Sequence, residues 1–187
     1  MRYIVVDLEA TCWADVRDYA RMETIEIGAV ELPAADGPPT REFSRFVRPA
    51  VEPELSEFCR RLTTIRQKDV GRSDEFPTVL VEFAEWIGED PFVLCSWGGY
   101  DLTQFRTDCD RHGLTLPESF ERHVNLKKAF ARLVGIKECG MERALAHMGL
   151  PLDGTHHRGI DDARNIARLA VLVLPQLERS GGVPAAT

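Results

Sequence analysis

Asp7 and Glu9 stand one residue apart at the end of an apolar run, Asp101 follows a second apolar run, and His157 lies five residues before Asp162. In an extended chain alternate side chains share a face, so Asp7 and Glu9 point the same way and Leu8 the other. Two carboxylates side by side in a partly dry site repel strongly unless a cation neutralises them, and hard divalent ions take oxygen ligands of this kind. A pair of such ions can clamp the attacking and leaving oxygens of an in-line phosphoryl displacement, which takes several carboxylates. In that chemistry Asp7 bridges both ions and Glu9 and Asp162 complete the first. Asp101 holds the second, directly or through water. His157, an imidazole with an ordinary pKa of about 6.5, takes the proton from the nucleophilic water. The reaction is hydrolysis of a phosphodiester. Each residue also has an ordinary reading. An Asp that ends a strand can cap a turn beside a solvated Glu, Asp101 can cap the helix it begins, and a loop histidine can be solvated or structural.

To bring these residues together, the chain must place several strand ends at one edge of a sheet. Residues 3–11 open with four consecutive β-branched or aromatic residues without solvent-facing alternation, which predicts a strand buried on both faces and central in an α/β sheet. A loop over 12–24 follows, then strands over 25–32 and 41–48 joined by the turn-forming 33–39 as an antiparallel hairpin. Short helices are expected over 55–62 and 63–70, each opened by a cap-type Ser or Thr. Pro77 suits a first helical residue, with Leu80, Phe83, Ala84 and Ile87 on one face. A buried strand over 92–96 leads through Gly98 and Gly99 into a helix carrying Leu102, Phe105 and Cys109. A short strand over 123–126 and helices over 127–133 and 141–148 come next. The last helix is the clearest, its stripe running from Ile160 to Leu177. Residues 1–178 are expected to be a single domain and 179–187 a flexible tail.

Composition narrows the function classes. A net charge of −7 over 187 residues argues against a chain that coats nucleic acid nonspecifically, but allows an enzyme whose acids surround metal. The five cysteines form no metal or disulfide framework, so most are expected to be reduced core residues. No run reaches the roughly 20 apolar residues of a membrane span and no signal peptide is legible, so the expected location is cytoplasmic, with no membrane partner.

The ordered motifs are specific as a set. Asp7 to Trp13, Ile25 to Ala29, Phe46 to Pro49, Leu55 to Cys59, Leu62 and Thr63, Ser96 to Asp101, and His156 to Ala167 resemble, in that order, the DEDDh 3′-to-5′ exonucleases. The resemblance covers roughly 1–175 and is strongest to the Eri-like branch, relatives of the histone-mRNA and RNA-interference exonucleases. It implies a ribonuclease-H-like fold, a mixed five-stranded sheet flanked by helices on both sides, and two Mg²⁺ or Mn²⁺ ions. It assigns Asp7, Glu9, Asp101 and Asp162 as metal-site acids and His157 as the base; Asp162, rather than Asp161, fits the family spacing. Ala10 and Thr11 become candidate contacts of a terminal 3′-hydroxyl. The expected partner is nucleic acid with a free 3′-hydroxyl, RNA favoured. Because residues 3–11 already hold the catalytic strand, the expectation is a chain that lacks the separate nucleic-acid-binding module of some relatives.

Beside these stand weaker candidates with two readings each. Trp13 and Trp97 could stack a base or be packed core. Arg60, Arg61, Arg66, Lys68, Lys127, Lys128 and Arg158 could line a phosphate path or form a solvated face. Asn125 is more simply a cap. Two other functions keep the fold: an endonuclease, and a catalytically silent module that binds nucleic acid or a partner.

Overall fold

The computed structural model describes residues 1–15 and 18–184. Its sheet has five strands: β1 (Arg2–Ala10), β2 (Thr24–Leu32), β3 (Arg41–Phe46), β4 (Phe92–Ser96) and β5 (His123–Asn125). They lie in the order β3-β2-β1-β4-β5. β2 pairs antiparallel with both β1 and β3, and β4 and β5 run parallel to β1. The short turn after β2 explains the antiparallel hairpin, and the helical crossovers explain the parallel pairs. This is the mixed five-stranded sheet expected.

β1 is central, and its alternation divides the interior in two. Tyr3 and Val5 pack with Val30, Leu32, Val93 and the helices α5 (Leu126–Val134), α6 (Met141–His147) and α7 (Gly159–Arg179). Ile4, Val6 and Leu8 face the other way, onto α3 (Phe76–Ile87) and α4 (Tyr100–Arg111), where Phe83, Phe105 and Phe120 pack ring to ring. By the same period of two, Asp7 and Glu9 continue the face that α7 covers. A third, smaller cluster of Ile25, Leu55, Cys59, Ile65 and Val70 seats α1 (Glu57–Thr63) and α2 (Gln67–Val70).

Several boundaries differ from expectation for identifiable reasons. Ser56 does cap α1, its hydroxyl accepting the Cys59 N–H at 2.9 Å. The second helix is not opened by a threonine: Thr63 still belongs to α1, Thr64 ends it with φ 61°, and α2 begins only after Arg66, which pairs with Asp69. Leu126 starts α5 rather than ending β5, because the Asn125 side chain caps the helix by accepting the Lys128 N–H. α7 runs through Arg179 with Pro175 inside it, and Gly182 N–H closes its end on the Leu177 carbonyl at 2.8 Å. Of the expected tail, 185–187 lie outside the described residues. All five cysteines are free; Cys59, Cys95 and Cys109 are buried and Cys12 and Cys139 half-buried. Among the described residues no helix is long and apolar enough to cross a membrane.

Candidate active site

At the carboxyl ends of β1 and β4, where parallel neighbours diverge and leave a crevice, opens a cavity of about 440 Å³. Asp7, Glu9, Asp101, His157 and Asp162 all line it. One carboxylate oxygen from each of Asp7, Glu9 and Asp162 lies within 4.8 Å of the others. Asp101, in the first turn of α4, reaches across to β1 and accepts the Leu8 N–H at 3.0 Å. Its carboxylate therefore ties the helix to the strand that bears Asp7 and Glu9, and does not cap its own helix with its side chain.

Asp162 is brought in by a close seam between β2 and α7. Gly28 in mid-strand has no side chain, and a Cβ there would lie 2.0 Å from the Gly159 carbonyl carbon. A glycine inside a strand commonly marks such an approach of one backbone to another. Glu26, fully buried on the same face of β2, accepts the Gly159 N–H at 3.1 Å and pairs with Arg158 at 3.0 Å. The His157–Asp162 segment is thus anchored on the strand next to β1. His157 itself has φ 62°, a left-handed conformation unusual for a residue with a side chain and often found at functional sites. Its N–H donates to Asp162 Oδ2 at 3.0 Å, and the His156 ring stacks on its own with centroids 4.0 Å apart. His156 Nδ1 lies 2.9 Å from the same Asp162 oxygen.

The electrostatics are those of an uncompensated anion cluster. Burial, then the charges of Asp101, Glu9 and Asp162, raise Asp7 well above the usual carboxylate range. Burial and the charges of Asp162 and Glu26 do the same to Glu9. Burial also raises Asp101, opposed by the Leu8 N–H, Ser96 and the Lys127 charge, and raises Asp162, opposed by His156 and the His157 N–H. Among the described residues no ion pair or side-chain hydrogen bond engages the Asp7 or Glu9 carboxylate. Four convergent acids, two of them without a protein partner, fit hard divalent cations. Burial, and the neighbouring His156, lower the His157 imidazole.

The remaining candidates separate clearly. Ala10 lines the cavity, its carbonyl facing the Cys59 thiol at 3.7 Å. Thr11 does not line it: the residue is buried and exchanges hydrogen bonds with Glu23, backbone N–H to carbonyl at 2.8 Å and hydroxyl from the Glu23 N–H at 3.0 Å. Trp13 lies outside the cavity, its ring covered by the Arg21 guanidinium at 4.1 Å. Trp97 lines the cavity while its Nε1–H donates to the Cys139 carbonyl at 3.0 Å and its ring rests on Phe130, so it is both wall and core. Arg158 is held by Glu26, lies over the Phe46 ring and does not line the cavity.

Sequence reasoning passed over Glu26, Gly28 and His156 as working parts, although a glycine and a buried acid on one face of a strand were a legible signal. It also passed over the apolar wall of Tyr19, Met22, Leu62, Tyr100 and Met141. The loop bearing Tyr19 and Met22 is held by α4: Gln104 and Arg111 donate to the Met22 carbonyl at 2.9 Å each, and buried Asp108 receives Thr24 and Gln104.

The profile of an exonuclease family, RNase_T, matches residues 4–170. The chain belongs to this exonuclease family. Over 189 aligned residues it is 33% identical to ERI1 exoribonuclease 2 of Mus musculus, covering 89% of this chain and 28% of that protein. It is 31% identical to 3′-5′ exoribonuclease 1 of Rattus norvegicus, covering 91% of this chain and 52% of that one. The chain thus spans between about a quarter and a half of the length of these curated relatives. Among solved structures, the nuclease domain of 3′hExo, a DEDDh family member bound to rAMP, superposes with a TM-score of 0.87 at 27% identity, covering 100% of this chain and 97% of that one. The family and branch anticipated from the ordered motifs are therefore those found, and the fold is ribonuclease-H-like. Exonucleases of the DEDDh family use divalent metal ions.

Proposed function

We propose that residues 1–178 form one exonuclease domain that releases 5′-mononucleotides stepwise from the 3′-hydroxyl ends of RNA, and also of single-stranded DNA, with Mg²⁺ or Mn²⁺. The observation that carries this reading is the convergence of Asp7, Glu9 and Asp162 within 4.8 Å, with Asp101 and His157 in the same cavity. Asp7, Glu9 and Asp162 would hold one cation, and Asp7 with Asp101 a second. Bound there, the pair neutralises the acids and supplies the Lewis acidity that phosphodiester hydrolysis needs. His157 accepts the proton of the attacking water; its lowered pKa keeps the imidazole neutral, and so basic, at pH 7. Glu26 and Gly28 hold the α7 end in register, so that base and acids meet without reorganisation. Ala10, beside the acids, offers backbone polar groups to a terminal sugar, and Leu62, Tyr100 and Trp97 offer apolar surface to its base. Relatives named exoribonucleases, and the rAMP bound to the 3′hExo nuclease domain, support a ribonucleotide substrate.

The test uses 5′-labelled RNA and DNA ending in a 3′-hydroxyl or a 3′-phosphate, with Mg²⁺, Mn²⁺ or chelator. Metal-dependent shortening from 3′-hydroxyl ends to 5′-mononucleotides is expected, with 3′-phosphate ends blocked and circular RNA intact. Equal degradation of both ends would remove the end-recognition model, and cleavage of circles would make the enzyme an endonuclease.

A further inference from the structure

Three of the seven basic residues that sequence reading placed on a phosphate path are already engaged. Arg61 pairs with Glu57, Arg66 with Asp69 and Arg158 with Glu26. Of the eleven cations that make no ion pair among the described residues, five lie on α5, α6 and the loop between them, and the other six are scattered. From 126 to 148, Lys127, Lys128, Arg132, Lys137 and Arg143 stand against only Glu138 and Glu142, in a chain whose net charge is −7. Lys128, Arg132, Lys137 and Arg143 are exposed.

This basic stretch adjoins the acidic centre. The active-site cavity is walled on this side by Trp97, Gly140 and Met141. Trp97 is fixed to Cys139 by its indole N–H, and Cys139 lines the next depression with Lys137 and Arg143. That depression shares Ile136 and Glu138 with a third, floored by Ala131 and Gly135 and rimmed by Lys128 and Arg132. Three hollows of about 440, 360 and 450 Å³ therefore follow one another outward from the carboxylates, the first and second meeting at the consecutive residues Gly140 and Cys139, the second and third sharing Ile136 and Glu138. Their lining changes from acidic to basic along the way. Lys127 lies beside the acidic centre, its Nζ 3.7 Å from where a Gly98 side chain would begin and its charge opposing the rise of the Asp101 pKa.

Resting on the exonuclease reading above, we propose that this chain of hollows over α5 and α6 is the track of the single strand 5′ of the scissile nucleotide, with Lys128, Arg132, Lys137 and Arg143 holding its phosphates. Four carboxylates that two divalent cations just neutralise give the site itself no net attraction for an anionic chain, so attraction falls to charges outside it, and cations free of protein partners release counterions from the strand when they bind it. Length should then govern affinity. A dinucleotide engages only the cavity, whereas a longer strand also engages the track.

The test compares two doubly substituted proteins with equal charge change: Lys128→Glu with Arg132→Glu on the track, and Arg72→Glu with Arg179→Glu away from it. Both are assayed in Mg²⁺ on a 3′-hydroxyl dinucleotide and on a single-stranded RNA of about twelve nucleotides. The track variant is expected to raise KM for the longer RNA roughly tenfold at low salt, with KM for the dinucleotide spared. Its plot of log kcat/KM against log salt for the longer RNA should flatten by about 0.7 for each phosphate that the protein no longer neutralises. Equal KM changes in the two variants would show that only net charge matters and overturn the track. So would unchanged kinetics on the longer RNA, the result expected if the patch served an acidic protein partner instead. Failure of the exonuclease reading would be seen separately, as absence of hydrolysis of either substrate by the unsubstituted protein.

Discussion

Replacing Gly28 with alanine adds one methyl group at the seam where β2 meets the start of α7. The new Cβ would lie 2.0 Å from the Gly159 carbonyl carbon and 2.2 Å from the Ile160 nitrogen. Both are backbone atoms in a helical turn, so neither can swing aside as a side-chain tip does. Restoring an ordinary contact of 3.4 Å calls for a displacement of about 1.4 Å. Overpacking of this kind typically costs ~1–3 kcal/mol, and backbone on backbone belongs at the upper end. The displacement also carries His157 and Asp162 away from Asp7 and Glu9, and a misplacement of about 1 Å can cost on the order of 10²-fold in rate. Gly28→Ala is therefore expected to lower the urea midpoint, weaken Mn²⁺ binding in calorimetric titration and reduce kcat/KM at least about 10²-fold. Gly159→Ala provides the graded comparison: its nearest contacts are 3.1 Å, to the Asp7 carbonyl and the Gly28 nitrogen, so a few tenths of an ångström suffice. It should fold and lose less. A Gly28→Ala protein with the unsubstituted midpoint, metal affinity and rate would refute this account of how Asp162 is positioned.

Asp7→Asn should be inactive yet, in chelator, more stable than the unsubstituted protein at neutral pH. The Asp7 pKa is raised on folding by burial and by the neighbouring acids, so the stability tied to its protonated form is full below the ordinary carboxylate range and lost as pH rises through the folded value. The stability gap between the two proteins should accordingly close on acidification; a gap independent of pH in thermal melts would contradict the repulsion. His157→Ala should lose roughly 10²- to 10⁴-fold in rate while keeping most Mn²⁺ affinity, whereas Asp162→Ala loses both. Equal loss of metal binding in the two would make His157 a ligand. His156→Ala removes the ring nitrogen 2.9 Å from Asp162 Oδ2 and should cost about 10- to 100-fold in Mn²⁺ affinity or activity, as loss of a partner that orients a ligand does. Unchanged affinity and rate would mean that Asp162 is oriented without it.

What the sequence determined by itself follows from local periodicity. A doubly buried β1, the shared face of Asp7 and Glu9, the position of Asp101 after β4 and the stripe of α7 depend only on residue types at spacings of two and 3.6. The ordered motifs, read together, brought the family. What only the tertiary structure decided concerns which partner each polar group finds. Arg158 and Lys128 are both cations beside motif residues, yet one is spent on buried Glu26 and the other faces solvent. Trp13 and Trp97 look alike as candidate stacking surfaces, but an arginine covers the first and the cavity borders the second. Thr11 follows Glu9 in the chain, and its hydrogen bonds to Glu23 are set by how the loop returns into β2. Pairings such as these span distances along the chain that no local pattern encodes, because a side chain bonds whichever neighbour the packing of the sheet and helices presents to it.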